Sequence, residues 1–522
     1  MQKKGLHKVL LLIHPPVAKP GEPPAGPARL AHSLKSRGVA CRVWDANLEG
    51  LLDLLEQPAG ASDTWSRRAA AGLRANLAAL RSPRTCSSFE RYKQAVLDIN
   101  RLLHVAGAGA GCRISLSDYA DPRLHPVRSR DLLEASRRFA ENPFFPFFQK
   151  RLPGLLEKWR PRRIGLSINF MSQALCAFAL AGLIRTIRPD IPIICGGGLV
   201  TSWMSVPGFS NPFFPLIDDL VAGPGEERLL SMMGKDGSGV LDEAGMDFAD
   251  FALGSYLSPA PVIPAAATRG CYWQKCRFCP ERFEGSRYRP FPGEPLSRMI
   301  ARQAWQTGAQ LIHFTDNAIP PAFLRRLMRH PPGAAWYGFV RVTRHLTDPD
   351  FVRGLKASGC VMLKLGVESG DQQVLDALNK GVRVETVSRA LQTIHAAGIG
   401  VYAYLLFGTP AENLERARRT LAFTRAHADC MDFLNLSVFN LPALSEESQG
   451  LETADFYPGD LSLYQEFVHP QGWNRRRVRR FLEKEFRQPA SLRAIIKQEP
   501  PFFTSNHAPF IVNPGLFRQN RH

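Results

Sequence analysis

Apolar and polar positions divide this chain into two runs of alternating strand and helix, with a helical stretch of different character inside the first. The run KVLLLIH, Lys8 to His14, is apolar without alternation, the pattern of a parallel strand buried on both faces. Proline and glycine crowd the residues up to Pro27. Ala28 to Arg37 then has helical spacing and stops at Gly38, and Val39 to Trp44 reads as a second strand closed by Asp45. This βαβ opening predicts a doubly wound α/β sheet with ligand space beyond its strand ends. Leu48 to Arg160 interrupts it as a Leu-, Ala- and Arg-rich helical insertion, with breaks at Gly60, Pro83, the glycines around Gly107 and the PFFPFF segment from Pro143. Phe144, Phe145, Phe147 and Phe148 read as packing between insertion and core, the alternative being an apolar substrate wall. The sheet resumes with a strand at Arg163–Ile168, a helix at Ser172–Ile187 and a strand at Ile191–Cys195 that delivers Gly196-Gly197-Gly198. Three glycines at a strand end let the backbone turn tightly or approach a bulky ligand. Asp219–Val221 adds a strand before Gly223-Pro224-Gly225-Glu226, where Glu226 favours a helix N-terminus.

From Val262 the alternation restarts. Strands are expected at Val262–Ala267, Leu311–Thr315, Ala335–Val340, Val361–Val367, Gly400–Phe407 and Phe433–Phe439, with helices between them. Such units predict a partial (β/α)6 barrel whose chemistry lies at the C-terminal ends of its strands. The expected organisation is an α/β domain over 1–240 with its insertion at about 48–160, a linker rich in Asp, Pro and Gly over 241–261, the partial barrel over 262–442, and a C-terminal extension over 443–522. That extension carries Tyr457, Tyr464, Phe467 and Trp473 and then a basic helix, and reads as a small substrate module.

At 522 residues the chain is long enough for two or three cores, and 45% apolar with 22% charged residues describes a soluble globular protein. The expected location is cytoplasmic. There is no apolar stretch long enough to span a membrane, and the basic start, MQKKGLHKVLLLIHPP, carries no cleavage site. Ten cysteines without regular spacing argue against a disulfide scaffold. A formal charge of +19 favours an anionic partner, such as a carboxylated or phosphorylated small molecule. The arginines are scattered through helices, as at Arg325, Arg326 and Arg475 to Arg480, so a nucleic acid is not the expected substrate.

Three of the cysteines, Cys271, Cys276 and Cys279, share the loop TRGCYWQKCRFCPERFEG after the first barrel strand. Closely spaced thiolates bind a soft metal or an iron–sulfur cluster. Structural zinc needs a fourth ligand, for which His313 is a candidate. Unliganded buried thiols fit poorly with a loop rich in Arg, Lys and Gln. A [4Fe–4S] cluster on three thiolates leaves one iron open to bind a small molecule. Cys360 and Cys430 are isolated and read as buried thiols.

On these residues the chain resembles the radical S-adenosylmethionine (SAM) superfamily. The usual C-x3-C-x2-C signature has one more residue here, with Tyr272, Trp273, Gln274 and Lys275 in the first gap and Arg277 and Phe278 in the second. This spacing resembles a variant among members with an N-terminal cobalamin-binding domain. The resemblance implies that Cys271, Cys276 and Cys279 ligate the cluster and that Phe278 packs near the adenine of SAM. Phe314-Thr315-Asp316-Asn317 resembles the segment facing the methionine portion of SAM, and Arg341 ends the third strand. Gly366-Val367-Glu368-Ser369-Gly370 with Leu375 and Lys380-Gly381 resembles the GxESG…vL…KG pattern, which makes Glu368 and Ser369 candidates to hold SAM. Gly408-Thr409-Pro410 with Glu412 resembles the G-x-P-x-E element. Taken one by one, Asp316 or Glu368 also reads as a helix cap and Gly408 as turn chemistry.

The N-terminal domain resembles the Rossmann-like cobalamin-binding domain, with Gln173 after the third strand and Gly196, Gly197 and Gly198 where the nucleotide tail of cobalamin passes. It departs from that pattern in one respect: the first strand ends His14-Pro15-Pro16, without the D-x-H-x-x-G motif that supplies a lower histidine to cobalt. The resemblance implies a cobalamin-dependent radical SAM methyltransferase. It would act on an unactivated carbon of a small-molecule or peptide-derived substrate through a 5′-deoxyadenosyl radical and methylcobalamin. An external one-electron reductant such as flavodoxin or ferredoxin would serve it. The alternatives are a cyclase or rearrangement enzyme using the same cofactors, and a noncatalytic binding or carrier protein. Tyr402, Tyr404, Asn435, Asn440 and His507 are candidates to face the barrel cavity.

Overall fold

The computed structural model describes residues 9–57, 63–84, 88–240, 244–501 and 507–512. The basic start up to Lys8 and the expected break at Gly60 lie outside the described residues. The chain divides after Pro261 into two compact units, and Pro458–Ser462 groups with the first.

The first unit is built on five parallel strands: β1 (Leu10–Ile13), β2 (Cys41–Trp44), β3 (Arg163–Ser167), β4 (Ile193–Gly196) and β5 (Asp219–Val221), in the order β2-β1-β3-β4-β5. All four residues of β1 are buried, which explains its unbroken apolar run. The order reverses between β1 and β3, a switch point of the kind that opens a crevice at strand C-terminal ends. Among its described residues the insertion is mainly helical, with a small ribbon pairing Arg113–Ile114 with Tyr119–Ala120. Phe144, Phe147 and Phe148 are buried, and the Trp44 ring lies 5.7 Å from Phe147 and 6.5 Å from Phe148, so these rings pack the insertion onto β2. The break expected in PFFPFF is instead the start of the helix Phe145–Trp159. Pro146 falls in its first turn, where a missing N–H leaves no intrahelical bond unmade.

Residues 244–261, expected as part of a linker, are tied to this sheet. Asp250 accepts from the Val43 amide at 3.1 Å and pairs with Arg42 at 3.0 Å, while Asp247 pairs with Lys35 at 3.1 Å. Each acidic residue in the segment therefore has a basic or amide partner near β2.

The second unit has six parallel strands in chain order: β6 (Val262–Ala265), β7 (Leu311–Phe314), β8 (Ala335–Val340), β9 (Cys360–Glu368), β10 (Gly400–Phe407) and β11 (Phe433–Val438). A sheet that never reverses order, with β6 and β11 left at its edges, is an open barrel wall and not a doubly wound sheet. Register puts His313 beside Tyr337, Phe339 beside Lys364, and Lys364 beside Tyr402, so these share one face. The C-terminal extension is not a separate module. Leu441–Pro442, Tyr464–Phe467 and Thr453–Asp455 form a three-stranded antiparallel sheet. Phe481 and Phe486 then pack against Phe407 of β10, tilted and edge-on, with ring centroids at 6.0 and 5.3 Å.

Candidate active site

The cysteine loop leaves β6 under the control of one carboxylate. Asp316, buried just beyond β7, accepts from the amides of Ala267 at 2.9 Å and Thr268 at 2.7 Å, and from the Thr268 hydroxyl at 2.8 Å. Thr268–Arg269 pairs antiparallel with Arg289–Pro290, which closes the loop at its base.

The other side of the loop rests on the turn 378–381 that follows β9. The Arg277 amide donates to the Leu378 carbonyl at 3.1 Å, and Trp273 Nε1 donates to the Asn379 carbonyl at 3.0 Å. Gly381 has φ +65°, and a Cβ there would stand 2.2 Å from the Trp273 ring, so glycine is required where the indole seats. Within the longer first gap Gln274 lies in the left-handed region at φ +50°, and its side-chain Nε2 donates to the Ser286 carbonyl at 2.8 Å. Arg341 lies with its guanidinium carbon 4.2 Å from the Trp273 ring centroid. It donates to Cys276 Sγ at 3.5 Å and to the Lys380 carbonyl. Lys380 Nζ sits 5.5 Å from the Phe278 ring and 2.6 Å from Glu368 Oε1. Phe278, Arg341 and Glu368, distant in sequence, thus meet around the loop through Lys380.

The three cysteines are half-buried. Burial pushes the Cys276 thiol up, while Lys380 and Arg341 pull it back towards the thiolate. Cys279 is pushed up to about 12, by burial first and then by its neighbours Cys276 and Cys271. Among the described residues no three His, Cys, Asp or Glu side chains converge as a metal site. The thiols share a loop and electrostatic contact without being drawn to one point. His313, the fourth ligand offered for zinc, is instead buried 2.9 Å from Lys364 Nζ and stacked on Tyr337 at 4.5 Å.

Glu368 ends β9 in the left-handed region at φ +62°. Ser369 is buried, with Oγ 2.9 Å from the Thr420 hydroxyl and accepting from the Asp371 amide at 3.1 Å, so it shapes the turn after β9. Gly408, at φ +82° after β10, donates its amide to Glu412 Oε2, which also accepts from Trp473 Nε1 at 2.9 Å. Glu412 is fully buried and burial raises its carboxyl to about 7. Of the expected cavity residues, Tyr402 is stacked on His507 at 4.3 Å and lies 4.6 Å from Tyr404, and Asn440 accepts from Arg475.

In the first unit, Gln173 is fully buried. It donates to the Pro15 carbonyl at 2.7 Å and accepts from the amides of Asn169 at 2.8 Å and Phe170 at 3.2 Å, joining the loops after β1 and β3. Gly197 has φ +110°, and a Cβ on it would lie 2.5 Å from the Ile168 carbonyl oxygen. Gly198 donates to Asn169 Oδ1 at 3.0 Å. Phe170 and Met171, next to this turn, are exposed. His14 is buried with Nδ1 3.4 Å from the Gln173 amide, and burial holds its pKa below the usual imidazole range.

Residues 266–424, which include the three cysteines and the turn that seats them, match the Radical SAM superfamily. That stretch of the chain is a radical SAM domain. The chain is 20% identical over 310 residues to an uncharacterised methyltransferase from Pyrococcus horikoshii, covering 52% of this chain and 65% of that protein. It is 27% identical over 172 residues to the bacteriochlorophyllide d C-12(1)-methyltransferase of Chlorobaculum tepidum, covering 31% of this chain and 37% of that one. It therefore spans less than two thirds of the length of either relative. Its fold matches the radical SAM methyltransferase TsrM of Kitasatospora setae, solved with cobalamin and a [4Fe–4S] cluster, with a TM-score of 0.54 over 94% of this chain and 91% of that one, at 15% identity.

Sequence reasoning missed how the radical SAM loop is seated. Trp273 had been assigned only to fill the longer gap, and Lys380-Gly381 only to match a pattern. The glycine directly after Lys380 was the available signal, because it marks a backbone that something approaches closely.

Proposed function

We propose that the protein is a cobalamin-dependent radical SAM methyltransferase that methylates a carbon of a small-molecule or peptide-derived substrate. The observation that carries this reading is the pairing, in one chain, of a three-thiol loop at the mouth of an open barrel with a doubly wound sheet whose strand ends carry a glycine cradle. The relatives that bear methyltransferase names support it.

Cys271, Cys276 and Cys279 would hold the cluster. The donor set fits in kind: three sulfurs in one loop, one already hydrogen-bonded by a guanidinium, with Lys380 and Arg341 partly opposing the burial that raises the Cys276 thiol. Gly196, Gly197 and Gly198 would take cobalamin, with Gln173 holding the loops on either side. Gly197 is needed for the tight turn against the Ile168 carbonyl, whereas a Cβ on Gly198 would have no neighbour nearer than 3.7 Å, so the cradle has room at that position. His14 is sequestered against Gln173, consistent with a cobalt that takes no histidine from this loop.

When bound, the cluster supplies the electron that cleaves SAM, and cobalamin supplies a methyl carrier. The chain's own residues position and enclose. Asp316 holds the start of the cysteine loop, and the 378–381 turn holds its middle. Glu368, Ser369, Phe278 and Gly408 line successive strand ends, where SAM would lie across the barrel mouth. Glu368 and Ser369 are buried, which holds these polar groups in a fixed arrangement for a bound ligand.

The test uses anaerobically reconstituted protein with cobalamin, titanium(III) citrate and SAM carrying a deuterated methyl group. Mass spectrometry should find 5′-deoxyadenosine together with deuteriomethyl label on cobalamin. Deoxyadenosine without any label on cobalamin would overturn the methyltransferase reading.

A further inference from the structure

We infer that Trp273 is a positioning residue that sets the reduction potential of the cluster by holding the Arg341 guanidinium against Cys276. The inference rests on the reading that Cys271, Cys276 and Cys279 carry the cluster.

Arg341 is buried at the end of β8, where it meets the Trp273 ring face at 4.2 Å, the Lys380 carbonyl and Cys276 Sγ at 3.5 Å, with the Tyr272 hydroxyl also interacting with it. A guanidinium is planar, so two of these contacts fix the orientation in which it offers an N–H to the third. The carbonyl fixes one edge and the indole fixes the plane. Trp273 is itself immobilised, by its Nε1 bond to Asn379 and by the close approach of Gly381. Lys275 Nζ lies 5.1 Å from the same ring, so a second cation shares the indole. Cation–π attraction is strongest for tryptophan and grows as the cation loses water.

Hydrogen bonds to the sulfurs, local charge and solvent exposure set the potential of an iron–sulfur cluster. A fixed positive donor on Cys276 favours the more negative, reduced state and so raises the potential. Without the indole, Arg341 loses one of the two contacts that orient it, and water gains access to the cation. Both changes weaken the N–H···S bond, and the potential falls. The extra residue in the first gap thus has a use: the left-handed turn at Gln274 lets Trp273 lie back over Arg341.

The experiment is a redox titration of the reconstituted cluster, with dithionite or titanium(III) as electron donor and electron paramagnetic resonance as readout. It compares wild type with Trp273→Ala, Trp273→Phe, Arg341→Met and the double variant Trp273→Ala/Arg341→Met, and iron is counted in each. The midpoint of Trp273→Ala should move to a more negative potential with its iron retained. Trp273→Phe, which keeps a ring but loses the Asn379 anchor, should move less in the same direction. The double variant should match Arg341→Met alone, because Trp273 acts through Arg341. Unchanged midpoints in both Trp273 variants, or shifts that add in the double variant, would overturn the inference. If Trp273→Ala loses its iron, the midpoint of Trp273→Phe decides. Wild-type protein that assembles no cluster would instead count against the cysteine assignment itself.

Discussion

Lys380 Nζ lies 2.6 Å from Glu368 Oε1, and both side chains are almost wholly buried where the cysteine loop meets β9. Removing one member of such a pair leaves a buried charge without its counter-ion, which typically costs roughly 3–5 kcal/mol. Lys380→Met should therefore lower the denaturant midpoint markedly. The double variant Lys380→Met/Glu368→Gln should recover part of that loss, because neither partner is then charged. Equal destabilisation of single and double variants would mean that the lysine acts by packing over Phe278 and not by pairing.

Gly381 and Gly398 offer a matched pair of left-handed glycines, at φ +65° and +67°. Alanine at either position costs roughly 1 kcal/mol for the backbone alone. At Gly398 the nearest atom is a lysine Nζ 4.0 Å away, whereas at Gly381 the new methyl would meet the Trp273 ring at 2.2 Å. Gly381→Ala should lower iron content after reconstitution and Gly398→Ala should not, with total iron per chain as the measurement.

Glu412 provides a pH dependence of defined sign. Its carboxyl is raised from the ordinary 4.5 to about 7 in the folded chain, so the folded state holds more protons than the unfolded state in between. Stability from this group is present below pH 4.5 and declines as pH rises towards 7, by about 3 kcal/mol in total. Glu412→Gln removes that decline. The unfolding midpoint of the variant relative to wild type should rise between pH 5 and pH 8, measured by denaturant titration at each pH.

Gly197→Ala tests the cradle of the first unit. At φ +110° a non-glycine residue pays roughly 1–3 kcal/mol in backbone strain, and its methyl would press on the Ile168 carbonyl. Cobalamin retained through gel filtration, read by its visible absorption, should fall at least tenfold relative to wild type. Retention equal to wild type would remove Gly197 from the proposed site.

Strand positions were most legible where burial on both faces leaves an unbroken apolar run, as in β1; β9 is buried along nearly its whole length although Lys364 interrupts it. The cysteine loop was legible from its spacing. What composition and period could not reveal are contacts between distant positions: Trp273 on Gly381, Asp316 on Thr268, Gln173 on Pro15. Asp316 and Gln173 stood out as polar residues at strand ends, but their direct partners here are backbone groups of neighbouring loops. PFFPFF was misread because proline looks the same at a break and in a first helical turn. The C-terminal extension reads as modular because the strand–helix repeats stop near Pro442, yet Phe481 and Phe486 pack on Phe407 of β10.

The two supports of the cysteine loop also bear on when iron can be taken up. Asp316 follows β7, but the turn that seats Trp273 and orients Arg341 lies beyond β9, later in the chain. During synthesis the three thiols leave the ribosome with neither support in place, gain the first when β7 folds, and gain the second only when β9 and its turn are complete. A fragment ending before β9 would carry every thiol of the loop and still present iron–sulfur donors with a half-anchored strap. Full seating of the loop therefore needs the chain through the turn after β9 and not the cysteines alone.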